Sequence, residues 1–216
     1  MAAFLVAVQG AESTGKTTLC AQLAGCLRRK GLSAVVVPET LRDFCDREGR
    51  TPREDEQAAL AAAHHVRIET AAASPDAQVV IADTTSLTIA VYSEVVFGDR
   101  SLYGQALERQ QRFDLNLLTA LDLPWVEDGF VRDGPHVREP VDALLRSALS
   151  SIDAGYSLVH GSGEARLRAA LAIVEHGLQV HRDGRVPQTW QWRCPDCDEP
   201  RCERHLFKGL PGWPGD

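Results

Sequence analysis

The stretch Gly10-Ala11-Glu12-Ser13-Thr14-Gly15-Lys16-Thr17-Thr18 fits the spacing G-x-x-x-x-G-K-[ST] in full. Glycines at both ends of such a run let backbone N–H groups turn inward, and a ring of inward amides receives phosphate oxygens. Lys16 supplies a point charge for the terminal phosphates, and the Thr17 hydroxyl is a ligand for Mg²⁺. A helix starting here adds the partial positive charge of its N-terminus. These residues therefore suit the tail of a nucleoside triphosphate, ATP with Mg²⁺. The geometry needs a strand before the loop and a helix after it. Both are predicted: Ala3–Val8 is a near-continuous apolar run, and Lys16 to Arg29 has apolar residues at helical spacing with Gly31 as a stop.

A phosphate grip does not name a reaction. A third strand, Gln78–Ala82, closes on Asp83-Thr84-Thr85, and in an open α/β sheet the carboxyl ends of strands face the ligand crevice. A carboxylate there could hold Mg²⁺ through water, orient a hydroxyl for attack on the γ-phosphate, or simply cap the next helix. The second strand, Ala34–Val37, opens in the same way onto Glu39 and Arg42. That pair reads either as contacts to a sugar hydroxyl and a phosphate or as a surface ion pair. The segment from Trp125 to Arg138 carries glycines that permit movement and Arg132 and Arg138, which could close on transferring phosphates. A solvated polar loop is the competing reading.

Near the other end, Cys194-Pro-Asp-Cys197 followed by Cys202 and His205 gives C-x2-C-x4-C-x2-H. Zn²⁺ favours four tetrahedral sulfur and nitrogen ligands, and a metal could order a segment that lacks periodicity. A tail with free or oxidised thiols is the alternative. His64-His65 lies mid-helix, where only one of the pair can face a given surface; it reads as structural or solvated.

The elements that must position these residues alternate strand and helix. A long alanine-rich helix is predicted from Arg53 to Ala73, with further helices at Leu87–Phe97, Gln105–Arg112, Pro140–Ile152 and from Glu164 to about His176. Leu115–Leu121 and Tyr156–Val159 read as the fourth and fifth strands. Repeated βα units predict an α/β fold, a five-stranded parallel sheet with helices on both faces. From Gly177 onward the composition shifts to Trp, Pro, Arg and Cys, so residues 1–176 are expected as one domain and 177–216 as a small Cys/His tail.

Composition agrees. The 216 residues are 44% hydrophobic and 25% charged, ordinary values for a globular protein, and no apolar run approaches the ~20 residues that span a bilayer. The formal net charge of -7 argues against a nucleic-acid partner bound through a broad basic surface. Scattered thiols and an apolar N-terminus that leads straight into the glycine loop, with no cleavage signal, predict a cytoplasmic setting.

Taken together, these segments resemble the ribosylnicotinamide kinase domain of the bifunctional bacterial regulator of NAD biosynthesis, within the P-loop ATPase and kinase group. The matching residues are the Gly10–Leu19 loop, Pro38-Glu39 with Arg42, Gln57, Ala82-Asp83-Thr84, Thr88, Tyr92, the Asp122-Leu-Pro-Trp125-Val-Glu-Asp128-Gly129 segment with Arg132, then Gly161 and Arg166. The resemblance covers roughly residues 1–176. It implies a P-loop NTPase fold and ATP-dependent phosphorylation of a ribonucleoside 5′-hydroxyl, with nicotinamide riboside as the family substrate.

Under that resemblance Gly10, Glu12, Ser13, Thr14, Gly15, Lys16, Thr17, Thr18 and Arg166 serve the nucleotide. Glu39, Arg42, Asp83, Thr84, Tyr92, Trp125 and Asp128 serve the acceptor, and Lys16, Asp83, Glu39, Arg132 and Arg138 carry the chemistry. The family carries a nucleotidyltransferase domain upstream, whereas Met1 here opens on the loop's own strand, so only the kinase half is expected. Thr85 also stands where the family commonly has a second acidic residue. A kinase for another nucleoside or nucleotide, and a regulatory ATPase module whose tail docks a partner or a second copy, remain open.

Overall fold

The computed structural model describes residues 2–126 and 134–184. Five strands form one parallel sheet in the order β2-β3-β1-β4-β5: β1 Phe4–Gln9, β2 Ala34–Val37, β3 Val79–Asp83, β4 Leu115–Thr119 and β5 Tyr156–Val159. β1 is central and buried along its whole length. This is why its sequence reads as an unbroken apolar run instead of alternating.

The strand period of two sorts side chains onto two faces. Phe4, Val6 and Val8 of β1 join Val79 and Ile81 of β3 in a core under helices α1 (Lys16–Arg29) and α7 (Gly163–Arg182). Leu5, Val80 and Ala82 point the other way, against Ile68 of helix α3 (Glu54–Ala72). Helices α4 (Ser86–Phe97), α5 (Tyr103–Gln110) and α6 (Arg138–Ser151) complete that second face around Leu118. In β1, register pairs Val8 with Asp83, so the Asp83 carboxyl lies on the α1 side.

Some expected boundaries move. Helix α2 (Thr40–Glu48) was not read from sequence; only Phe44 and Cys45 of it are buried, packed against Leu60 of α3. α4 forms although it is rich in β-branched residues, because packing outweighs a weak intrinsic preference. The Thr85 hydroxyl accepts from Leu87 N, and Gly98 ends the helix in the left-handed conformation.

The last helix does not stop at His176. It continues to Arg182, and Gly177 lies inside it. A Cβ on Gly177 would come within 2.8 Å of Phe4 Cζ, so the glycine lets α7 lie close on β1. The His181 ring then meets the Phe4 ring edge-on at 5.4 Å. The compositional shift at Gly177 therefore begins inside a packed helix.

Candidate active site

The loop between β1 and α1 is held open by side chains outside it. Gly10 has φ +145, and a Cβ there would fall 2.0 Å from Thr119 Oγ1 at the end of β4. The Thr119 hydroxyl donates to Gln9 O and lies 2.7 Å from Thr14 Oγ1, whose own hydroxyl donates to Ala11 O. Ser13 and Gly15 both adopt positive φ, and Gly15 caps α1. The Lys16 ammonium donates to Ala11 O at 2.7 Å.

Two expected phosphate arginines turn instead to backbone. Arg166, only 5% exposed, donates from Nη2 to Thr14 O at 2.7 Å and from Nη1 to Gly161 O. Burial lowers its guanidinium pKa, and Asp122 opposes that shift. Arg138, expected on a closing segment, is buried at the start of α6 and donates to the carbonyls of Leu121 and Leu123. The structure thus places neither side chain in the cleft; each fixes a loop that borders it. The Leu123 side chain in turn approaches to 3.2 Å of where a Gly15 Cβ would sit.

A cleft of about 660 Å³ opens over the loop, within the usual size of small-molecule sites. Residues Glu12 to Thr18 form its floor. Glu39, Leu41, Arg42 and Cys45, at and within α2, form one wall with Gln57 of α3. Tyr92, Val96 and Phe97 of α4 form another, and Leu123, Pro124 and Val126 close the end. Val96, Phe97 and Val126 are apolar side chains left partly exposed there. The Ser13 hydroxyl donates to Val126 O at 2.8 Å and accepts from Val126 N, pinning this end to the loop.

Asp83 is not among the residues lining the cleft. It is 1% exposed, and its Oδ1 has no hydrogen-bond partner among the described residues. The Cys20 thiol, one turn into α1, is pushed well up first by burial and next by the Asp83 charge; Lys16 and Glu39 also act on it. These three charged groups, far apart in sequence, thus all bear on the same thiol. Thr84, next in the chain, is buried with φ +70. A β-branched residue there is a genuine outlier, costing about 1–3 kcal/mol that the surroundings must offset.

The sequence matches the AAA domain family over residues 5–166. The chain belongs to that family. No match is found among curated proteins. Among solved structures it is similar to NadR protein in complex with NR, at TM-score 0.67 and 22% identity over 82% of this chain and 52% of that one. NadR in complex with NAD and AMP-PNP gives TM-score 0.64 and 19% identity over 82% and 50%. The chain thus spans about half the length of those two proteins. Thymidylate kinase from Ehrlichia chaffeensis gives TM-score 0.57 and 16% identity over 83% of this chain and 100% of that one. These likenesses establish the P-loop NTPase fold that the loop motif implied.

Of the expected site residues, Glu12, Ser13, Thr14, Gly15, Lys16, Thr17, Thr18, Glu39, Arg42 and Tyr92 share the cleft. Asp83 and Thr84 are buried and are not among the residues lining it. Trp125 is half-buried beside it, and its ring N–H has no partner among the described residues. Asp128, Arg132, Cys194, Cys197, Cys202 and His205 lie outside the described residues. No sequence signal marks Phe97, Leu41 or Thr119 as part of the site. Among the described residues no helix is long and apolar enough to cross a membrane, and no cluster of His, Cys, Asp and Glu suits a metal by itself.

Proposed function

We propose that the chain transfers the γ-phosphoryl group of ATP to the 5′-hydroxyl of a ribonucleoside, with nicotinamide riboside as the acceptor. The observation that carries this is the continuity of one cavity: its floor is the phosphate loop, and its walls place Glu39, Gln57, Tyr92 and Phe97 opposite. A triphosphate on the floor would present its terminal group toward those walls. Tyr92 and Phe97 offer aromatic area for a base, and Glu39 offers an acceptor for sugar hydroxyls.

The donor set fits magnesium. One hydroxyl, Thr17, and one carboxylate, Asp83 with its unpartnered buried oxygen, suit an ion that keeps phosphate and water as its other ligands. Mg²⁺ would supply charge neutralisation on the β- and γ-phosphates. Lys16 would exchange the Ala11 carbonyl for phosphate oxygens, and the loop amides would hold the leaving diphosphate. Glu39 would orient the sugar for in-line attack. The oxygen–γ-phosphorus bond forms as the bridging bond to ADP breaks, and the hydroxyl proton passes to water. Arg166 and Arg138 serve as positioning residues, while Asp128 keeps the acceptor-side role and Arg132 the phosphate-side role implied by the resemblance. With nicotinamide riboside as acceptor, the reaction is a step in NAD biosynthesis.

One observation favours a second reading. Arg42 lines the acceptor wall, and a guanidinium there suits an acceptor that already carries a phosphate, which would make the chain a nucleotide kinase. The deciding experiment incubates the protein with Mg-ATP and a panel of nucleosides and nucleoside monophosphates and reads product masses. A monophosphate formed from nicotinamide riboside supports the first reading and a diphosphate the second. ADP release with no phosphorylated acceptor rejects both in favour of a regulatory ATPase.

A further inference from the structure

His64 is fully buried in α3, and both ring nitrogens are committed. Nε2 lies 3.1 Å from Thr84 O, and Nδ1 lies 2.9 Å from Thr40 Oγ1. The proton positions follow from donor and acceptor arithmetic. A carbonyl only accepts, so Nε2 carries the ring proton. The Arg67 Nη1 group donates to Thr40 Oγ1 at 3.2 Å and cannot accept, so the Thr40 hydroxyl is left to donate to Nδ1. The result is a one-way chain, Arg67 to Thr40 to His64 to Thr84, anchored at its outer end where Arg67 pairs with Asp43.

Two links of this chain, Thr40 and Thr84, each adjoin a residue expected at the site. Thr40 opens α2 directly after Glu39 and two residues before Arg42, both on the acceptor wall. Thr84 directly follows Asp83, and its left-handed backbone is the one strained position between the carboxylate and α4. Here His64 bonds Thr84 O and Thr84 N donates to Val8 O, so both backbone polar groups of that residue are held.

We propose that His64 is a positioning residue: its ring ties the acceptor-side turn at Glu39-Thr40 to the strained Thr84 peptide behind Asp83, so the acceptor wall and the carboxylate keep one register. This inference rests on the phosphoryl-transfer reading for its consequence and on the hydrogen-bond chain for its existence, and the tests separate the two. Thr40→Val removes one hydroxyl from a half-buried site, cutting its bonds to His64 and Arg67 and leaving the His64–Thr84 bond in place. It should raise the acceptor KM about five-fold, the worth of one hydrogen bond, with kcat and the KM for ATP within about two-fold of the parent.

His64→Gln retains an amide donor for Thr84 O and loses the Thr40 arm, so it should give the same KM effect. The double variant should be no worse than Thr40→Val alone, since both substitutions cut the same Thr40–His64 bond. A residue that merely fills the core would lower the active fraction and kcat and leave the acceptor KM alone; that result, or additive KM effects, overturns the inference. Long-range ¹H–¹⁵N spectra of the full chain read the ring directly. A neutral Nε2–H tautomer whose Nδ1 signal moves in Thr40→Val supports the chain of bonds, and an Nδ1–H tautomer overturns it whatever the activity. If the parent protein phosphorylates no acceptor, the proposed function falls and the tautomer result alone decides the hydrogen-bond chain.

Discussion

The Lys16 ammonium is bonded to the carbonyl of Ala11, within the loop whose phosphates it would serve. An incoming triphosphate must displace that bond, exchanging a neutral acceptor for a charged one, which makes the stronger hydrogen bond. Lys16→Ala should therefore lower phosphoryl transfer by at least about 10³-fold. The melting temperature should stay within a few degrees, because the lost bond is only part-buried. Steady-state turnover together with a thermal melt of the same sample checks both halves.

Asp83→Asn retains shape and removes charge. Turnover should fall about 10²-fold, as for loss of one group that stabilises developing charge, while binding of a non-hydrolysable ATP analogue without metal stays near that of the parent. Calorimetry and turnover on one preparation separate the effects. Undiminished turnover would take Asp83 out of the mechanism.

Gly177→Ala reverses a general rule. Alanine in a helix interior is normally favoured over glycine by about 1 kcal/mol. Here the new methyl would meet Phe4, a ring held at 2% exposure between β1 and α7. Overpacking of that kind costs about 1–3 kcal/mol, so the clash should win and the variant should melt several degrees lower. Phe4→Leu in the same chain should recover part of the loss.

Ser13→Ala removes both bonds between the loop and Val126. The site is exposed, so global stability should change by less than about 1 kcal/mol. Amide exchange at Val126 should speed up nonetheless, and mass-resolved hydrogen exchange on the peptide containing it reads the effect.

Burial lowers the His64 pKa below its ordinary 6.5; Arg67 and His65 add to the shift, and the bond to Thr84 and the Asp83 charge oppose it. Below pH 6.5 the unfolded chain takes up a proton that the folded ring resists. Stability should thus be undiminished by this group above pH 6.5 and be lost progressively as pH falls from there through the folded pKa. Melts from pH 7.5 to 5 should show the decline, and His64→Gln should flatten it; His65, also lowered chiefly by burial, accounts for a residual slope.

The loop and the central strands were legible because their signals are local. A glycine-lysine spacing has one common use, and strands covered on both faces must be apolar throughout. What was missed depends on direction. Arg138 reads as a phosphate ligand from charge and neighbourhood and Arg166 from the resemblance, but sequence does not say where a guanidinium points, and both meet carbonyls. Helix α2 was hidden because only Phe44 and Cys45 of its residues are buried. Gly177 read as a boundary because composition changes there, while its reason lies in Phe4 at the far end of the chain.

Arg166 clasps the carbonyl of Thr14 across 152 positions of chain. During synthesis on a ribosome, the motif at residues 10–17 emerges early, yet the cation that braces it is made only near the end of the described domain. A nascent chain halted before that point would carry every residue of the motif without this brace. Nucleotide affinity should therefore appear late in translation, once Arg166 has emerged and docked.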